Sequence, residues 1–286
     1  MNKSSPIGLF DSGVGGLTVL QALQNLMPNE NYLYLGDTAR LPYGTKSPKT
    51  VLHYAIQSAS TLIERQIKLL IIACNTATAA ALPLLQETFP FIPIIGVIEP
   101  SAQIACKTSL KGHVAVIATE STIQGKCYEE TILRYRPEIL VESKACPLFV
   151  PIVEEGWFSG PIVESIIIHY LSSLFFNRSI KDQPDCLVLG CTHYPLLSET
   201  IQKIIGNDIT IVDSTVATAK LVQACIIQHN MVNPNTNLIG STIFLTTDDK
   251  VRFARIGSLF LNTSIQEDKI EVVDLHMTNV QPNYLS

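Results

Sequence analysis

Charge is scarce in this 286-residue sequence. Asp, Glu, Lys and Arg together make up 16%, and 20 basic residues against 25 acidic ones leave a formal net charge of −5. No block of like charge stands out, so neither nucleic acid nor an anionic membrane is expected as a partner. Long apolar runs are missing too. A long uncharged stretch, between Lys68 and Glu87, is interrupted by Asn75, Thr76, Thr78 and Pro83. That excludes the ~20 mostly apolar residues of a membrane helix, despite a mean hydropathy of +0.26. The seven cysteines form no C-x-x-C pair, which removes the usual zinc and small disulfide frameworks and suits free thiols in a reducing compartment. The opening MNKSSPIGLFDSG has one lysine and too short an apolar stretch for a signal peptide. The expectation is a cytoplasmic globular protein.

What is present is 47% hydrophobic residues, enough to bury one large core or two compact ones. Short apolar runs at 6–10, 31–35, 69–73, 93–98, 113–118, 186–190 and 208–212 read as buried strands. Longer amphipathic segments lie between them. The clearest covers 47–66, with Ser47 as N-cap, Pro48 at the first helical position and Val51, Tyr54, Ala55, Leu62 and Ile63 on one face. Continuous apolar strands alternating with helices predict an α/β protein built on parallel sheets. IFLTTDD and KIEVVDL near the end read as two more strands around a helix, and the residues after Leu275 read as a frayed polar end.

No Gly/Ser- or Pro-rich linker divides the chain, but an internal echo does. IGLFDSG and VAVIATES are each a strand running into a polar loop; LLIIACNTATA and CLVLGCTHYPL are each a strand running into a cysteine. The order is the same in both halves, predicting two α/β units of similar plan. Ligands in open α/β sheets bind at the carboxyl ends of strands, so two such edges facing each other enclose one cleft.

A free cysteine ordinarily packs as a small hydrophobe, and Cys106, Cys127, Cys146, Cys186 and Cys225 are read that way. Cys74 and Cys191 differ. Each follows a strand and precedes an expected helix, whose N–H groups and dipole favour a thiolate. Each is followed by hydrogen-bonding residues, Asn75-Thr76 and Thr192-His193. Zinc on Cys191-x-His193 lacks a second ligand pair. A Cys191/His193 nucleophile pair leaves the matching Cys74 unexplained, whereas two acid/base thiols facing one substrate carbon account for both.

Three further loops bear on chemistry. In FDSGVGGLTVL the glycines at 13, 15 and 16 hint at phosphate binding, but their spacing fits neither established phosphate loop, and a tight turn explains them equally. Asp11 and Ser12 stand there at an expected exposed strand end, suited to an ammonium or a neighbouring thiol and to a carboxylate. GDTARLPYG offers the Tyr43 hydroxyl and the unhindered Gly44 N–H at a turn. CPLFVPIVEEGW places Glu154 and Glu155 beside an apolar run, read by themselves as a solvated acidic pair.

Taken together, GLFDSGVGGLTVL, GDTARLPYG, IIACNTATA, CPLFVPIVEEG and VLGCTHYPLL resemble the glutamate racemases, cofactor-independent enzymes that supply D-glutamate for peptidoglycan. The matches follow the family's order from Ile7 to about Leu275. The resemblance implies two parallel-sheet α/β domains with pseudo-twofold symmetry and the active site between them, divided as 1–98 plus 213–286 and 99–212. It implies Cys74 and Cys191 as the catalytic pair, supported by Asp11, His193 and Glu154. It implies substrate contacts from Asp11, Ser12, Tyr43, Gly44, Asn75, Thr76, Thr119, Thr122, Thr192 and His193, and no cofactor or metal. VIATEST departs from the pattern, with Ala118 and Ser121 where the family often has glycines. The implied partner is the small-molecule substrate, with a homodimer as a further expectation. The rival readings are an aspartate or other amino-acid racemase, a one-cysteine decarboxylase, and a non-catalytic amino-acid binding module.

Overall fold

In the computed structural model, which describes residues 2–275, two all-parallel sheets carry the chain. The reading of the residues after Leu275 falls outside the described residues. The first sheet comprises β1 (Ile7–Asp11), β2 (Tyr32–Gly36), β3 (Leu69–Ile72) and β4 (Ile94–Gly96). The second comprises β5 (His113–Ala118), β6 (Leu140–Ala145), β7 (Cys186–Gly190) and β8 (Thr210–Asp213). The helix Ser214–Gln228 then leads back to β9 (Thr242–Thr246) and β10 (Ile270–Val272), which extend the first sheet.

The first sheet runs β10-β9-β2-β1-β3-β4 and the second β6-β5-β7-β8. Removing the two returning strands leaves β2-β1-β3-β4, the same winding as its counterpart. In each unit the first strand is central, the second lies on one side and the third on the other. A topological switch point therefore falls between β1 and β3, and again between β5 and β7. The sequence echo corresponds to this repeat. Pairing of Phe10 with Ile72 and of Ala118 with Gly190 sharpens it. Continued past the strand ends, these registers set Ser12 across from Cys74 and Thr119 across from Cys191.

The strands form where expected because their residues are apolar on both faces: β1, β2, β3, β5 and β7 are buried throughout. The helix Pro48–Glu64 starts with Ser47 Oγ accepting from Thr50 N at 3.3 Å and buries Val51, Ala55 and Leu62. Gln66, at φ 59°, takes the left-handed conformation that ends it. Sequence patterning missed β6, because LVESKA is a half-exposed edge strand carrying charge. Its Glu142 accepts from Arg178 and lies 2.6 Å from His113. A buried ion pair, Lys68–Glu30, holds the returning segment: Glu30 Oε1 accepts from Asn233 N at 2.8 Å. The largest apolar cluster joins residues of both sheets, from Leu9 and Ile71 to Ile117 and Leu189. Among the described residues no helix is long and apolar enough to cross a membrane.

Candidate active site

The carboxyl ends of strands from both sheets meet at a cavity of about 320 Å³. Ser12 arrives after β1, Tyr43 and Gly44 after β2, and Cys74, Asn75 and Thr76 after β3. From the second sheet come Thr119 after β5, Glu154 after β6, and Cys191, Thr192 and His193 after β7. Two of the implied substrate residues stand behind the wall rather than in it. Thr122 is buried beneath Thr76 and Thr119, its hydroxyl 3.1 and 2.9 Å from theirs. Asp11 is fully buried and outside the lining, which corrects its reading as an exposed strand end.

Cys74 is the N-cap of the helix Asn75–Thr88; Ala77 N donates to its Sγ at 3.4 Å. Its thiol points to Ser12 Oγ at 3.8 Å. The helix terminus does not make it a thiolate, as the sequence reading expected. Burial and the Asp11 carboxylate outweigh the Ala77 and Ser12 hydrogen bonds and push the thiol up to about 12. Asp11 is itself held above the usual carboxylate range by burial, against the pull of His193 and backbone donors. Its Oδ2 accepts from Gly13 N at 2.9 Å, while its Oδ1 is buried without a partner among the described residues.

Cys191 stands differently. The residues after it form a short 3-10 turn, Tyr194–Leu197, so the expected helix terminus is replaced by a histidine. His193 Nδ1 lies 4.0 Å from Cys191 Sγ, and its Nε2 lies 3.2 Å from Glu154 Oε1. Burial works against a charge on His193, but its bonds to Cys191 and Glu154 prevail and raise it to about 10. Glu154 mirrors this. Despite burial, His193 and Arg252 hold its carboxyl below the usual range, and Arg252 Nη2 donates to its Oε2 at 3.4 Å. The reading of Glu154 and Glu155 as a solvated pair fails for the first: Glu154 is buried and Glu155 exposed. Of the five cysteines read as packing residues, Cys106, Cys146 and Cys186 are buried, while Cys127 and Cys225 are half-buried.

The glycine loop is explained by packing, not phosphate. A β-carbon on Gly15 would come within 2.3 Å of Thr192 Oγ1 and 2.6 Å of His193 Nδ1. One on Gly44 would lie 2.5 Å from Thr119 Cβ. Bare backbone at these two positions lets loops of the first sheet press against loops of the second. The hydroxyls of Thr76 and Thr119, 3.0 Å apart, cross the same boundary. Arg252, which lines the cavity from the helix Lys250–Leu261, escaped sequence reasoning, as did Tyr128 behind the wall. The strand pattern of IFLTTDD could have flagged Arg252, because it brings one more strand end to the cleft. Nothing local marks Tyr128. Among the described residues no three His, Cys, Asp or Glu side chains are grouped to hold a metal ion.

A profile of the Asp/Glu/Hydantoin racemase family matches residues 17–222. A glutamate racemase of Geobacter metallireducens is 46% identical over 255 residues, 89% of this chain and 92% of the relative. The solved glutamate racemase of Francisella tularensis, in complex with D-glutamate, superposes with a TM-score of 0.87 at 38% identity, covering 96% of this chain and 98% of its own. A glutamate racemase isoform from Bacillus anthracis gives 0.88 at 37%, covering 96% and 99%. These likenesses extend over both sheets and the cleft between them, and the chain therefore belongs to the Asp/Glu/Hydantoin racemase family, an isomerase on its glutamate racemase branch.

Proposed function

We propose that this enzyme interconverts L- and D-glutamate with two cysteine bases, Cys74 and Cys191, and supplies D-glutamate for peptidoglycan. The observation that carries the proposal is the pair of thiols at corresponding strand ends of two like-wound sheets, both lining one cavity. Two bases fixed on opposite faces of the α-carbon invert it without turning the substrate over. The units 1–98 plus 213–286 and 99–212 act as the two jaws of that cleft.

The surroundings of the two thiols suit them to opposite parts of the transfer. Cys74 rests as a thiol, a proton donor, and Cys191 rests beside an imidazolium that stabilises negative sulfur. Starting from L-glutamate, Cys191 as thiolate takes the α-proton while Cys74 delivers its own to the opposite face. The product is D-glutamate, with Cys74 as thiolate and Cys191 as thiol; the reverse reaction starts from that state. The α-proton beside a carboxylate is very weakly acidic, so the carbanion must be met by donors already in place in a closed site. In this reading the Ser12 and Thr192 hydroxyls and the Asn75 amide hold the carboxylates, a role supported by their place on the cavity wall with Tyr43, Gly44, Thr76 and Thr119. Asp11 acts from behind Cys74, and His193 with Glu154 acts on Cys191. The enzyme works in the cytoplasm, where the thiols stay reduced.

The test is incubation of L-glutamate in D₂O, following optical rotation and α-deuteration together. Loss of rotation with deuterium entry is expected. Binding of glutamate with both rotation and α-hydrogen retained overturns the proposal in favour of a binding module. Faster turnover of L-aspartate than of L-glutamate overturns the substrate assignment alone.

A further inference from the structure

Asn75 sits on the cavity wall with its amide half satisfied. Its Oδ1 accepts from Tyr128 Oη at 2.6 Å, across the boundary between the sheets, while its Nδ2 is buried without a partner among the described residues. A buried donor left in that state is unfavourable unless a ligand meets it. The bond from Tyr128 determines which end of the amide is left over, because the phenol supplies its proton to the oxygen. Burial keeps that phenol protonated well beyond neutral pH, so it donates throughout the working range.

The ring of Tyr128 is also held in place. It projects from the helix Cys127–Tyr135, and a β-carbon on Gly190 would lie 2.9 Å from its Cε2. Gly190 is the last residue of β7 and immediately precedes Cys191; Asn75 immediately follows Cys74. One side chain thus touches the neighbours of both thiols: ring on one, hydroxyl on the other.

We infer that Tyr128 is a positioning residue for the reaction, a strut between the two cysteine loops whose hydroxyl turns the Asn75 amide so that its N–H faces a substrate carboxylate. The inference rests on the reading of Asn75 as a substrate-holding residue.

The experiment compares wild type, Tyr128→Phe, Asn75→Ala, Asn75→Asp and the Tyr128→Phe/Asn75→Ala double variant. It measures KM and kcat in both directions, with thermal melting as a check on folding. Tyr128→Phe keeps the ring and is expected to raise KM about tenfold in both directions, the worth of one positioned hydrogen bond, with kcat changed less than about twofold. Asn75→Asp keeps the acceptor for Tyr128 but loses the donor, and is expected to raise KM at least as much without lowering the melting temperature. In the Asn75→Ala background, Tyr128→Phe is expected to add nothing further to KM. An unchanged KM in Tyr128→Phe, or full additivity in the double variant, overturns the inference while Asn75 keeps its role. An unchanged KM in Asn75→Ala overturns the reading of Asn75 itself, and the inference with it. Should Tyr128→Phe not fold, Asn75→Asp alone decides: an unchanged KM there overturns the inference.

Discussion

The two halves of the cleft share a winding and differ in their chemistry. Both sheets place a polar loop and a cysteine loop at a switch point, β1/β3 in one and β5/β7 in the other. Behind Cys74, however, stands a buried carboxylate, whereas beside Cys191 stands an imidazolium buttressed by Glu154. A repeated fold therefore positions two thiols symmetrically, and the residues around them give them unlike surroundings. Racemisation needs that inequality, since one thiol must give a proton while the other takes one.

The most severe way to break the comparison is to remove either thiol. Cys74→Ser and Cys191→Ser are each expected to lower kcat in both directions by about 10²–10⁴, the usual contribution of a positioned acid or base. Parent rates in either variant, by coupled assay or polarimetry, would end the two-base assignment.

Gly15→Ala attacks the fit of the halves. Its methyl would enter the space of Thr192 and His193, and a misplacement of about 1 Å at reacting groups can cost about 10²-fold in rate. A large fall in kcat/KM is expected, with destabilisation of about 1–3 kcal/mol from overpacking. A rate within a few-fold of wild type would show that the loops can part without penalty.

His193→Asn tests whether the asymmetry is functional. It removes the cation beside Cys191 and leaves Cys74 and Asp11 intact, so the L-to-D rate constant should fall by about tenfold or more, the lower end of acid–base contributions. Equal loss of first-step α-deuterium exchange from L- and D-glutamate, measured in single turnover, would contradict it.

Glu154→Gln gives the smallest and most diagnostic effect. His193 is raised from 6.5 to about 10 in the folded protein, so its contribution to stability is complete below pH 6.5 and is lost as pH rises through about 10. Removing the Glu154 charge lowers that upper value. The alkaline limb of kcat for L-glutamate and the alkaline fall in melting temperature should both move to lower pH. Glu154 itself is held below the usual carboxylate range, so it stabilises above pH 4.5 and loses that contribution in acid; the variant should show a flatter melting profile there. A pH–rate profile superposable on wild type would remove Glu154 from the chain of influence.

The sequence made the parallel α/β plan legible through its apolar runs, because strands buried on both faces leave no room for polar residues. LVESKA escaped because an edge strand meets solvent and keeps its charges. The cysteine loops are legible as a repeated pattern, but a 3-10 turn forms after Cys191 where the pattern predicts a helix terminus. Asp11, expected at an open strand end, is sealed beneath Cys74. Both differences concern surroundings, not identity.

What the linear chain determined by itself is therefore the inventory and its order: which strands, which loops at their ends, and two thiols in matching places. Local apolar runs and turn residues act within a few positions of one another, so they survive without knowledge of the fold. The tertiary structure alone decided how those groups behave. The Cys74 thiol rises because Asp11, 63 residues away in sequence by 74 − 11, is buried behind it. Arg252 reaches Glu154 from the far end of the chain, and Tyr128 reaches Asn75 from a helix beside the other sheet. Desolvation and Coulombic forces act through space, and only the packed cleft brings those charges together.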